Sequence, residues 1–144
     1  VALRVRVLVV DAANVFDPYR LVQEAMLRGV AARQALSRVR VARAFTSHQL
    51  VRLVQEELPG ELASDCLVLV LGPVSLFYDE QVPLAERRRL FQDLVQTLGA
   101  LKTRHPLLLL QPRLPPGAPN RGFGRMLRPL VDVFGSYGGG PEKR

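Results

Sequence analysis

The stretch VLVVDAANVFDPYRL, residues 7–21, ends an apolar run on Asp11 and continues through Asn14 into a Pro-led segment. An aspartate at the carboxyl end of a buried strand stands where α/β proteins assemble their chemistry. A carboxylate in that place can hold a divalent cation, take up a proton, or accept backbone N–H groups and so shape the turn. The first two tasks need neighbouring groups, and the residues beside Asp11 are Ala12 and Ala13, which supply none. Asp79 and Glu80 lie several residues beyond another apolar run, while Asp93 and Asp132 fall within expected elements. Asp11, Asn14 and Gln111 are the polarity left at the strand ends, and the expected role of Asp11 is turn formation.

A second group is cationic. The segment PRLPPGAPNRGFGRMLRP, residues 112–129, carries Arg113, Arg121, Arg125 and Arg128 around Phe123. Guanidinium groups on a glycine-rich backbone suit phosphate tracking, and an aromatic ring among them suits base stacking. Arg87, Arg88 and Arg89 are consecutive, so on a helix they fan over different faces and are expected in solvent. His48 at a helix start is expected to cap or pack, His105 to lie at the surface, and Cys66 to open a buried strand.

Composition narrows the classes. The 144 residues suffice for one domain with a sizeable core. With 48% hydrophobic and 23% charged residues, the chain reads as globular. A single cysteine excludes an internal disulfide and a thiolate zinc site. No apolar run nears the roughly 20 residues of a membrane helix, and the amino terminus lacks a signal-peptide layout. A cytoplasmic setting without membrane contact is therefore expected. The formal net charge is +7, and 18 of the 20 basic residues are arginine. That surplus makes a polyanion the first partner to consider, although arginine richness also follows from a GC-rich genome or adaptation to heat.

The elements that must position these groups alternate. Residues 1–10, whose end is apolar on both faces, and the apolar runs at 39–45, 66–71 and 106–112 read as strands. Asp17-Pro18 starts a helix that Gly29 ends, and AARQALSRV is a second, short one. Thr46 or Ser47 caps HQLVRLVQEEL, which Pro59-Gly60 is expected to stop. Leu84, Leu90, Leu94, Leu98 and Leu101 recur at helical spacing. The segment MLRPLVDVF is expected to supply a last strand, within a single domain of residues 1–137 and ahead of a disordered tail at 138–144. Strands apolar on both faces, alternating with helices, predict an α/β fold whose mainly parallel sheet carries helices on both faces.

The order of segments resembles the ATPase core of the RecA/RadA recombinase family, nearer its archaeal and eukaryotic branch. VDAANVFDPYRL is similar to that branch's strand-turn-helix, in which Asp-Thr-Glu-Gly precedes a Phe, a Pro and Arg-Leu. VRVARAFTSHQLVRLV resembles the following strand and its polar helix cap. CLVLVLGPVSLFYD stands where the Walker B strand belongs, and PLLLLQPR where the next strand ends in a polar sensor residue, here Gln111. The resemblance runs over roughly residues 5 to 135 and implies a RecA-like three-layer sandwich.

Its departures are more informative. Gly-x-x-x-x-Gly-Lys-Ser/Thr, the loop that cradles phosphates and magnesium, occurs nowhere. In the family that loop precedes the strand at residues 5–10, so the first strand-loop-helix unit is missing. The family's catalytic glutamate aligns with Ala13 and its Walker B aspartate with Gly72. The resemblance thus implies an inactive relative, with no catalytic residue, no cofactor and no metal ion. The family's two DNA loops correspond to YDEQVPLAERRR, here led by Asp79 and Glu80, and to the segment bearing Arg113, Arg121, Phe123, Arg125 and Arg128. Single-stranded DNA, a recombinase-type protein, and a second copy of the chain across an exposed sheet edge are the partners it implies. Two other readings stand beside it. The chain could be the carboxyl-terminal part of a RecA-like ATPase with its phosphate loop upstream. VDAANVF also resembles the start of PIN/NYN metal-dependent nucleases, whose sites need several converging carboxylates.

Overall fold

The computed structural model describes residues 5–114 and 122–136; Arg121, Tyr137 and the tail at 138–144 lie outside them. Four strands, β1 (Arg6–Asp11), β2 (Val39–Arg43), β3 (Cys66–Leu71) and β4 (Leu107–Leu110), form one sheet in the order β2-β1-β3-β4. Every pairing is parallel. The chain moves outward from β1 to β2, then crosses back to β3 and on to β4, so the direction of winding reverses between β1 and β3. This is the α/β architecture expected from the alternating elements.

Register sorts the side chains by face. Leu8 and Val10 share a face with Val68 and Val70, while Val7 and Val9 share the other with Val39, Val41, Leu67 and Leu69. The first face carries the core. It packs with α3 (Ser47–Arg52) through Leu50 and with α5 (Leu84–Lys102) through Phe91, Leu94 and Leu98. On the second face α1 (Pro18–Leu27) and α2 (Ala32–Ser37) lie over the β1–β2 end, where Leu21, Ala25 and Ala35 line a groove with Val7 and Val39. Leu108 and Leu110 of β4, in register with Leu69 and Leu71, remain 46% and 45% exposed.

Local signals account for most boundaries. The Asp17 side chain accepts from Tyr19 N at 2.9 Å and caps α1, with Pro18 in its first turn. Gly29 takes φ +73° just past its end. Thr46, rather than Ser47, caps α3 by accepting from Gln49 N at 3.0 Å. No helix among the described residues is long and apolar enough to cross a membrane.

Two expected boundaries differ. Pro59-Gly60 does not stop the helix at 58: α3 runs through a π-helical turn, Leu53–Glu57, into α4 (Leu58–Glu61). The wider turn lets Pro59 sit in the first turn of α4, where its missing N–H costs nothing. MLRPLVDVF is not a strand, and it does not fill a place beside β4. Its first residues belong to α6 (Phe123–Met126) and to a 3₁₀ turn, Arg128–Leu130, that packs along α5. Phe123 and Leu127, four apart and both buried, carry the helical period that short apolar runs hide.

Candidate functional site

All four strands end at one crevice. It is lined by Ala12–Val15 after β1, Ala44 and Phe45 after β2, Ser75 and Leu76 after β3, and Pro112 after β4, and it encloses about 340 Å³. A crevice outside the carboxyl ends of parallel strands, at the reversal of winding, is where open α/β sheets bind ligands.

The polar residues around it are committed to structure. Asp11 is fully buried. Its Oδ1 accepts from the N–H groups of Ala13 and Val15, both at 3.2 Å. Its Oδ2 accepts from Phe16 N at 2.8 Å and from the Arg43 guanidinium at 2.5 Å. Asn14, held at φ +56°, accepts from the same guanidinium at 3.1 Å, and Arg43 also donates to Phe16 O at 2.8 Å. Asp11 is therefore a turn former, as its sequence context indicates. Gln111 bridges two strand ends: its Oε1 accepts from Val74 N at 2.8 Å, and its Nε2 donates to Ser75 Oγ and Pro112 O, each at 2.9 Å.

Ala13, which lines the crevice, closely approaches Gly72, and neither residue has a functional group. Gly72 follows β3 at φ +74°, and a Cβ built there would lie 2.6 Å from the Ala13 Cβ and 2.9 Å from Ser75 Oγ. Both distances are far inside van der Waals contact. Position 72 is therefore restricted to glycine twice over, by its backbone and by the Ala13 methyl. The two positions that the resemblance equates with the Walker B aspartate and the catalytic glutamate pack against each other. Among the described residues, no group of three or more His, Cys, Asp or Glu side chains is placed to hold a metal ion.

The cationic residues are dispersed. Arg113 follows Pro112 and is exposed beside the crevice. Arg125 is exposed on α6. The Arg128 guanidinium stacks over the Phe134 ring at 4.2 Å. Two residues on, Leu130 O accepts from Lys102 Nζ at 2.7 Å, at the end of α5 nearest the start of β4. Because α5 runs antiparallel to the strands it joins, Arg128 lies toward the amino edge of the sheet and Arg113 at the carboxyl edge. Arg121 lies outside the described residues.

Phe123 corrects the expectation of a stacking ring in the basic loop. It is only 2% exposed, with its ring centroid 5.2 Å from that of Phe91 and 5.5 Å from that of Tyr78. The ring closes the core over α5. Arg87 also departs from expectation. It is buried and donates to Val82 O at 2.8 Å and Phe77 O at 3.1 Å, while Arg88 and Arg89 stay in solvent. His48 faces Glu86 across 3.3 Å.

Sequence reasoning missed Arg43 and Phe45. A signal for Arg43 existed, because successive parallel strands place their last residues side by side and Asp11 stands opposite Arg43 in register. Phe45 precedes a helix cap, a position whose side chain usually folds back onto the helix; here it is 62% exposed. No protein-family model matches the chain.

Proposed function

We propose that this chain is a RecA/RadA-like domain without ATPase activity, acting as an accessory factor in DNA recombination or repair. It binds single-stranded DNA through cations at the carboxyl edge of its sheet, with Arg113 the best placed. The observation that carries the reading is the close approach of Ala13 to Gly72: beside the crevice at the strand ends, the two positions that the resemblance equates with the catalytic glutamate and the Walker B aspartate hold a methyl group and a glycine. Asp11 and Gln111, which resemble nucleotide-site residues, hold turns together, and among the described residues no carboxylate lines the crevice.

The sheet edge supports the partner side of the proposal. Leu107–Leu110 pairs with β3 only, among the described residues, and two of its four leucines, Leu108 and Leu110, are nearly half exposed. An apolar edge of this kind invites a further strand, from a second copy of the chain or from a recombinase-type protein. The nuclease reading gains nothing here, since Asp11 already accepts from three backbone N–H groups and one guanidinium.

The test is a pair of titrations on one sample. With labelled ATP and magnesium, no saturable binding and no hydrolysis are expected. With a labelled single-stranded oligonucleotide, binding that weakens as salt rises is expected, and Arg113→Ala lowers both the affinity and the salt slope. Tight capture and turnover of ATP would overturn the reading, as would a lack of oligonucleotide binding at low salt for its DNA half.

A further inference from the structure

The burial of Phe123 leaves the proposed nucleic-acid surface without the aromatic residue that its sequence offered. We infer that Phe45 takes that role, and that the crevice beside it receives one unstacked base of a single strand. This rests on the nucleic-acid reading above and assigns it a residue and a binding mode.

Three large aromatic side chains are well exposed among the described residues: Tyr19, Phe45 and Phe134. One face of the Phe134 ring is taken by the Arg128 guanidinium, Tyr19 lies in the first turn of α1, and both are outside the crevice lining. Of the three, Phe45 alone lines the crevice at the strand ends. A single exposed apolar side chain is ordinary, but Val15, 53% exposed, lines the same crevice, so two open apolar side chains meet one concave surface. Phe45 is also held on a rigid base, since its N–H donates to Gln49 Oε1 at 2.8 Å and Thr46 caps the helix behind it. A ring fixed in the open by its backbone is preorganised for a flat partner.

Charge selects the kind of partner. Among the described residues no carboxylate lines the crevice, and the one beneath it, Asp11, is neutralised by Arg43. Arg113, exposed and next in sequence to the lining residue Pro112, is a permanent cation on the β4 side of the crevice. Asn14 and Ser75 add an amide and a hydroxyl to walls that are otherwise apolar. An exposed aromatic face in a chain of net charge +7, with no acidic group in the crevice walls among the described residues, is the combination that binds single strands with little sequence preference. An aliphatic side chain from a protein would fill the same space, but it would gain nothing from Arg113.

The experiment uses the full chain and a short oligonucleotide with 2-aminopurine as its central base, whose fluorescence is quenched when it stacks. Wild type is expected to quench it on binding. Phe45→Ala is expected to abolish the quenching and weaken binding about 5- to 150-fold, the range for losing one base–aromatic stack. Phe45→Trp should retain both signals, and Phe45→Leu, equally apolar but not aromatic, should lose the quenching; circular dichroism checks that each variant is folded. Oligonucleotide binding by wild type with affinity and quenching unchanged in Phe45→Ala would overturn the inference and leave the nucleic-acid reading standing. Unchanged oligonucleotide affinity with self-association lost in Phe45→Ala would assign the crevice to a protein side chain and overturn it equally. Absence of any oligonucleotide binding by wild type would remove both together.

Discussion

The two faces of the sheet are built to different standards. On one, Phe77, Phe91, Leu94 and Leu98 are wholly excluded from solvent against Val68 and Val70. On the other, two short helices cover the β1–β2 end, α1 contributes no fully buried residue, and the leucines of β4 stand half in water. At its carboxyl end this second face is closed by hydrogen bonds instead, with Asp11 buried by the donors that converge on it. A parallel sheet normally has both faces covered. The difference teaches that stability and availability have been divided here: one face supplies cohesion, and the other keeps apolar surface open beside the candidate site.

Three variants probe that division, in order of expected effect. Phe91→Ala removes a ring at the centre of the packed face and should lower unfolding stability by about 3–5 kcal/mol, read by urea denaturation. A loss under about 1 kcal/mol, the ordinary cost of a point substitution, would mean that this face is not the cohesive one. Asp11→Ala strips the acceptor from three N–H groups and from Arg43. It should cost about 1–3 kcal/mol and loosen the turn at 11–16, seen as faster amide exchange at Val15 and Phe16. Leu108→Lys combined with Leu110→Lys should move stability by no more than about 0.5 kcal/mol per site while reducing self-association in sedimentation. Unfolding of that double variant would show the open face to be as essential as the closed one.

Much of this was legible in the sequence, for identifiable reasons. CLVLVL and PLLLLQP read as strands from their short apolar runs, and their alternation with periodic helical segments implies parallel pairing, although the strand in PLLLLQP has no fully buried residue. Asp17-Pro18, Gly29 and Thr46 mark helix ends through local hydrogen bonds and backbone preferences, which do not depend on the rest of the fold. What stayed hidden depended on tertiary placement. Arg87 and Arg88 are indistinguishable side by side, and only the turn at Ser75–Tyr78 decides which of them is buried. Phe123 sits among glycines and arginines, a context that reads as an exposed loop until α5 is there to receive the ring. MLRPLVDVF is too short and too apolar for its period to be read. At the site, Asp11 was recognisable as a turn former, whereas its partner Arg43 emerges only once β1 and β2 are in register.

The fit of Ala13 over Gly72 bears on any attempt to retrofit chemistry to this scaffold. An acidic side chain placed at position 72 would strike the methyl group opposite and the hydroxyl of Ser75, on a backbone that disfavours every residue but glycine. Trimming position 13 would relieve the first obstacle alone. A single acidic substitution at position 72 would therefore register as a folding defect before it could register as catalysis.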